Sequence, residues 1–328
     1  MEEGRLPLLP VEQVLGGEAR YTPKELCEQT GLPLEFIARQ RQALGLPRPR
    51  PDDRILSDAD LEALKTLKQL LDAGLPEDSL HETAVVMGEA MARVADASRE
   101  AVGRTLIRPG DTERDFGLRA AEASKVLTPL VADQLEYVFR LHLLEQLRST
   151  VIDQNTLQSG ELRGAQEVTV AFADLVGFTK LGEALPPQEL GGVVARLTDL
   201  GVEAAEAPVR LVKTIGDAAM LAGPDPAGVV HAALRLVDMA EQEAEDFPSI
   251  RSGVDAGPAL ERAGDWCGSP VNVASRVTGV ARPTSVLATS DVRNLTEDEF
   301  RWSPAGRRKL KGVRHPVRLH RARPLKAD

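Results

Sequence analysis

The sequence predicts an α+β protein, with an all-helical first half followed by a half in which short strands alternate with helices. Three observations carry this expectation. From Tyr21 to about Gln158 the apolar residues recur at helical spacing, as in Leu61, Leu64, Leu67, Leu70 and Leu71, and β-branched alternation is rare. From Glu167 onward the pattern changes to short β-rich runs separated by helical stretches. Ser159-Gly160 lies between the two regimes, so a domain boundary is expected there, giving segments 1–160 and 161–328.

Within the first segment, Pro47-Arg48-Pro49-Arg50-Pro51 and Gly74-Leu75-Pro76 interrupt the helical pattern. Leu135, Val138, Leu141, Leu144 and Leu147 form one stripe, so Leu135 to Gln158 reads as a long amphipathic helix leading out of it. In the second segment the strand patterns are Glu167 to Phe172, Arg210 to Ile215, Ala218 to Ala222, Ser252 to Ala256 and Ser285 to Ala288. Helices are expected over Pro187 to Ala207 and Ala227 to Glu243, with another starting at Val271. This order of elements implies a sandwich in which helices cover one face of a sheet.

Composition narrows the function. Of 328 residues, 42% are hydrophobic and 27% charged, which is a globular balance, while 3% aromatics leaves aliphatic side chains to fill the cores. The net charge of -10 argues against a protein that coats nucleic acid, whose phosphates need a surplus of cations. Cys27 and Cys267 are too few for a disulfide framework or a thiolate metal site. No leader pattern or apolar run of membrane-spanning length occurs, so a cytoplasmic protein without membrane spans is expected.

Three segments of the second half carry chemistry. Asp174 follows an apolar strand and precedes the glycine turn Leu175-Val176-Gly177-Phe178-Thr179, and Asp217 follows Lys213-Thr214-Ile215-Gly216. Alone, the first acid reads first as a helix cap and the second as part of an ordinary hairpin turn. Together they are two carboxylates at sharp turns off apolar strands, suited to hard cations such as Mg2+ and to phosphoryl chemistry. Asn272 and Arg276 stand four residues apart on one helix face, where an amide and a guanidinium can contact ribose and phosphate. Their small, apolar neighbours set them apart from an ordinary solvated face.

In Phe172-Ala173-Asp174-Leu175-Val176-Gly177-Phe178-Thr179, Lys213-Thr214-Ile215-Gly216-Asp217 and Val271-Asn272-Val273-Ala274-Ser275-Arg276, the chain from about residue 165 to 324 resembles the catalytic domain of class III adenylyl cyclases. That resemblance implies a ferredoxin-like α/β sandwich that converts ATP to cyclic AMP with two Mg2+ or Mn2+ ions per site. It gives Asp174 and Asp217 the metals, Asn272 and Arg276 the ribose and the charge of the transition state, and Lys213 with Asp265 the adenine. Adenine presents an acceptor at N1 and a donor amine at N6, which a lysine and an aspartate complement. Guanine presents the reverse, so the same pair tells against a guanylyl cyclase.

Lys311, in Arg307-Arg308-Lys309-Leu310-Lys311-Gly312, is similar to the family's basic residue near the terminal phosphates. It reads equally as part of a solvated basic tail through Arg314, Arg318, Arg321 and Arg323. The family builds each site between two catalytic domains, so a homodimer with two equivalent sites is implied. Asp265 is placed only by its distance from Asn272, and Asp255 is a charged residue inside a strand pattern without an explanation.

The first segment resembles the helical, autoinhibitory and pH-responsive regulatory domain attached to some bacterial class III cyclases, and a small apolar ligand between its helices is compatible with its pattern. Histidine titrates nearest neutrality, and this segment contains His81 and His142, the second of them in the exit helix. A competing reading is a winged helix-turn-helix over Tyr21 to Pro76 with Arg39 and Arg41 on a recognition helix. That span carries 8 Lys+Arg against 9 Asp+Glu, where a DNA-binding face is ordinarily basic. A third reading, a degenerate cyclase kept as a binding module, conflicts with the complete set of six polar positions.

Overall fold

The structure is a computed structural model and describes residues 9–149, 164–244 and 246–325. The chain forms two compact units that divide at residues 151 and 152. The end of the expected exit helix and the boundary expected near residue 160 lie outside the described residues.

The first unit is helical: α1 (Leu9–Gly16), α2 (Pro23–Thr30), α3 (Leu34–Ala43), α4 (Asp58–Asp72), α5 (Glu77–Leu106) and α6 (Glu113–Ser149). Capping boxes start α2 at Thr22 with Glu25 and α4 at Ser57 with Asp60, each pairing a side chain with the backbone N–H groups that the first turn leaves free. The expected breaks fall between α3 and α4 and between α4 and α5. A third, at Pro109-Gly110, separates α5 from α6.

Leu26, Leu32, Phe36, Ile37, Leu56, Leu61 and Leu64 bury a small core among α2, α3 and α4. Glycine at 88 lets α5 approach the end of α3, since a Cβ there would lie 2.7 Å from the Leu44 backbone. Arg119 on α6 donates to both oxygens of Asp111 and to the Leu106 carbonyl at 2.7 Å, which ties the end of α5 to the start of α6. Among the described residues no helix is long and apolar enough to cross a membrane.

The second unit runs β1 (Gln166–Leu175), α7 (Phe178–Ala184), α8 (Pro187–Ala204), β2 (Arg210–Ile215), β3 (Ala218–Gly223) and α9 (Pro226–Glu241). It continues with β4 (Ile250–Arg262), β5 (Asp265–Gly268), α10 (Ser269–Thr278), β6 (Ser285–Thr289), α11 (Ser290–Leu295), β7 (Ser303–Arg308) and β8 (Val317–Ala322). The sheet order is β2-β3-β1-β4-β6-β8-β7, with β5 paired to β4. Every pairing is antiparallel except β4 with β6.

Strand alternation sorts the side chains of β1 onto two faces. Ala171, Ala173 and Leu175 enter the main core with Leu197 and Leu200 of α8 and Val230 and Leu236 of α9. Each of those fully buried leucines contributes roughly 2 kcal/mol. Val168, Val170 and Phe172 point the other way and meet Met220, Ala222 and Ala274. The expectation of a sheet covered on one face is therefore corrected, because α10 occupies the second face.

That placement depends on Gly253 of β4. A Cβ there would lie 2.2 Å from the Thr278 backbone nitrogen and 2.7 Å from the Ala274 carbonyl oxygen, so strand and helix meet backbone to backbone. The Thr278 hydroxyl adds bonds to the carbonyls of Phe172 at 3.2 Å and Ala274 at 2.9 Å. Replacing Gly253 with Ala should lower stability by about 2–3 kcal/mol through overpacking, read from the urea unfolding midpoint.

Candidate active site

The two acids are held at one end of the central strand. Asp174 is the penultimate residue of β1, in register with Ala218 of β3 and Arg251 of β4. Asp217 occupies the β2–β3 turn, whose Gly216 has φ 58°, a left-handed conformation that favours glycine. The Leu175 N–H donates to the Asp217 carbonyl at 3.0 Å, which fixes the turn against the strand end beside Asp174. The next N–H, that of Val176, donates to the Ser249 carbonyl at 2.8 Å, and Gly177 at φ 80° then opens α7.

Arg251 was not singled out from sequence. Its guanidinium donates twice to one Asp174 oxygen, at 2.9 and 2.6 Å, and both side chains are largely buried. An arginine on the strand next to a candidate metal acid is a signal that appears only once β1 and β4 are placed side by side.

Lys213 on β2 and Asp265 at the start of β5 form an ion pair through Lys213 Nζ and Asp265 Oδ2. The β4–β5 hairpin turns at Ala263 and Gly264, both at positive φ, and is tied to β2 by the ion pair between Arg210 and Glu261. The Trp266 N–H holds the other Asp265 oxygen at 2.9 Å. Asp265, placed in the sequence only by its distance from Asn272, therefore has a defined partner and a fixed orientation.

Asn272 and Arg276 lie on the outer face of α10. The helix turns Pro270, Ala274, Val277 and Thr278 inward, and a period of 3.6 residues carries positions 272 and 276 to the opposite side, where both are exposed. The Asn272 amide donates to the Gly268 carbonyl at 3.3 Å. Lys311 is exposed in the turn after β7, whereas Arg318 and Arg321 belong to β8. The reading of 314–323 as a solvated tail is corrected accordingly.

In the first unit His142 is exposed on α6, and His81 on α5 is half-buried with Nδ1 enclosed and unpartnered. Arg39 pairs with Glu77 and Asp78, and Arg41 with Asp60, so both guanidiniums of the supposed recognition helix are already engaged with acids.

Among the described residues no group of three or more His, Cys, Asp or Glu side chains forms a metal cluster. A set of two carboxylates without imidazole or thiolate suits a hard cation that takes its remaining oxygens from water and a polyphosphate.

Residues 3–147 match the adenylate cyclase regulatory domain, and residues 161–321 match the adenylate and guanylate cyclase catalytic domain. The chain is similar to a pH-sensitive adenylate cyclase of Mycobacterium tuberculosis, 39% identical over 324 residues that cover 96% of this chain and 81% of that protein. It is also similar to an adenylate cyclase of Streptomyces coelicolor, 31% identical across 84% of this chain and 71% of that one. Among solved structures, the adenylyl cyclase CyaB of P. aeruginosa aligns with a TM-score of 0.43 at 20% identity, over 50% of this chain and 97% of its own.

Arg251→Ala leaves the enclosed Asp174 carboxylate without its cation and should cost about 1–3 kcal/mol in chemical denaturation. Arg210→Ala, which breaks an exposed pair, should cost well under about 1 kcal/mol.

Proposed function

Because the chain belongs to the adenylate and guanylate cyclase family, with an adenylate cyclase regulatory domain ahead of the catalytic one, we propose that it converts ATP to 3′,5′-cyclic AMP and pyrophosphate at the interface of a homodimer. The observation that carries this reading is the Lys213–Asp265 pair, a donor and an acceptor held side by side. Lys213 Nζ would donate to adenine N1, and Asp265 would accept from the N6 amine. A guanine base, with a donor at N1 and an acceptor at O6, would meet like groups. This tells against the guanylyl alternative.

Asp174 and Asp217 would hold two Mg2+ or Mn2+ ions. Bound there, such ions would activate the ribose 3′-oxygen and neutralise the leaving pyrophosphate. Attack of that oxygen on the α-phosphorus forms one P–O bond, breaks the bond to the β-phosphate bridge and releases the 3′-hydroxyl proton. Asn272 would orient the ribose, and Arg276 would stabilise the charge that grows on the α-phosphate. Arg251 would exchange its contact with Asp174 for the polyphosphate once cations reach the acid, and Lys311 would meet the terminal phosphates.

Two observations support a homodimer. Asn272 and Arg276 turn away from their own sheet, toward where a second catalytic domain would supply the acids. The first unit leaves large apolar side chains open on α6, with Leu130 60%, Phe139 65% and Leu147 65% exposed. Segment 1–160 would act as the regulator and 161–328 as the catalyst. The similarity to a pH-sensitive enzyme supports a pH response through His142 and His81. A small apolar ligand could lodge between the first unit's helices.

Cyclic nucleotide formation from ATP and GTP with Mn2+ tests the reading. Cyclic AMP should dominate, and Asp217→Ala should lose at least about a thousandfold in rate. Equimolar Asp217→Ala and Arg276→Ala chains, inactive apart, should together regain about a quarter of wild-type activity, because a mixed dimer rebuilds one intact site. Lys213→Ala should raise KM for ATP and reduce the preference over GTP about tenfold. A pH response fully retained in the His81→Asn, His142→Asn double variant would remove those histidines from regulation.

A further inference from the structure

Asp255 is absorbed by none of the roles above, yet it is a buried carboxyl in the middle of the catalytic sheet, 6% exposed. Residues 253, 255 and 257 of β4 lie on the face that α10 covers. Gly253 touches the helix backbone at Thr278, and a Cβ at Gly257 would meet Pro270 at 3.4 Å. Between those two contacts Asp255 opens into a cavity of about 420 Å3 with Ser269, Pro270 and Val273 of the first turns of α10. Thr289, at the end of β6, donates its hydroxyl to the Asp255 carboxylate at 2.6 Å.

We propose that Asp255 is a positioning residue for the cyclase reaction, whose carboxyl sets the seat of α10, and with it the aim of Asn272 and Arg276, according to whether it carries a proton. This rests on the cyclase reading above.

The direction follows from the packing. Seating α10 on β4 removes the carboxyl from water, which disfavours its charged form, whereas lifting the first turns of the helix would let water reach it. Proton binding therefore favours the seated helix, and ionisation favours its displacement. The groups around it divide in sign, and burial decides the balance. Burial is the main influence and Asp291 of α11 adds to it, while the Thr289 hydroxyl and the Ala256 N–H favour the anion; the balance lifts the Asp255 carboxyl from 3.8 to about 6.

Arg318 of β8 lines the same cavity and, as a cation, favours the anion. His320 of β8, bonded to Ser290 at 3.2 Å, is held below its ordinary value by burial and by Arg293 and Arg318. From α10 and from β1, where Val170 is in register with Asp255, no charged group faces the carboxyl. The stabilisation gained from the proton is complete below the ordinary carboxylate range and is lost as the pH rises through about 6.

The test uses full-length protein, with kcat and KM for ATP followed from about pH 5 to pH 8, alongside hydrogen exchange of the α10 amides over the same range. Wild type should show a several-fold fall in kcat as the pH rises through about 6, with little change in KM, and α10 should lose protection in step. With His81→Asn and His142→Asn in the background, so that the regulatory imidazoles add no step, Asp255→Asn, neutral throughout, should lose that step in both readouts and stay near the acidic plateau. Thr289→Val removes the donor that favours the anion and should move the step upward by about half a pH unit or more.

A step retained in Asp255→Asn on the His81→Asn, His142→Asn background, or an unmoved midpoint in Thr289→Val on that background, would overturn the proposal. Absence of cyclic AMP from wild type, with α10 protection still pH-dependent and abolished by Asp255→Asn, would sink the cyclase reading while upholding the seat.

Discussion

The catalytic unit depends on a contact made without side chains. At Gly253 the backbone of β4 lies against the backbone of α10 at Ala274, Val277 and Thr278, so the C-terminal end of the helix has little freedom in height or rotation. Once Ala274, Val277 and Thr278 face the sheet, positions 272 and 276 must face away from it. A backbone fit is stiffer than a fit through long side chains, which adopt other rotamers at low cost. The accuracy with which an amide and a guanidinium are presented therefore rests on one missing methyl group.

The charged residues show a second regularity. Asp174 is partnered by Arg251, and Lys213 by Asp265, both within this chain. Isolated charges in such partly enclosed positions would be costly to desolvate. Paired ones are held in place, and in the proposed reaction ligand binding would be an exchange of partners rather than the ordering of free side chains. Such preorganisation is the main source of electrostatic catalysis in phosphoryl transfer.

Much of this was legible in the sequence, for identifiable reasons. The strands at 167–172, 210–215, 218–222, 252–256 and 285–288 were visible because small and β-branched residues form dense runs there, and each falls in a strand of the sheet. The β4–β5 hairpin was not, since Ala263 takes a left-handed conformation that its residue type does not advertise. The outer strand β8 was hidden because Arg318 and Arg321 fill its polar positions and read as a charge run, although Leu319 and Ala322 between and beside them are buried. Of the site, single residues and their spacing were readable, while the Asp174–Arg251 pair joins residues 77 apart and needs the sheet register to be seen. Gly253 gave no signal either, because a glycine in a strand pattern does not say which element approaches it.

Lys213 and Asp217 stand four residues apart on the hairpin of β2 and β3. In the homodimer proposed above they would serve different active centres, with the base read by one chain and the metals held by the other. A nucleotide gripped through Lys213 in one centre would then pull on the turn that shapes the second. Filling of the two centres would then be coupled, and occupancy would depart from a simple hyperbola, with a Hill coefficient set by how stiffly that hairpin transmits strain.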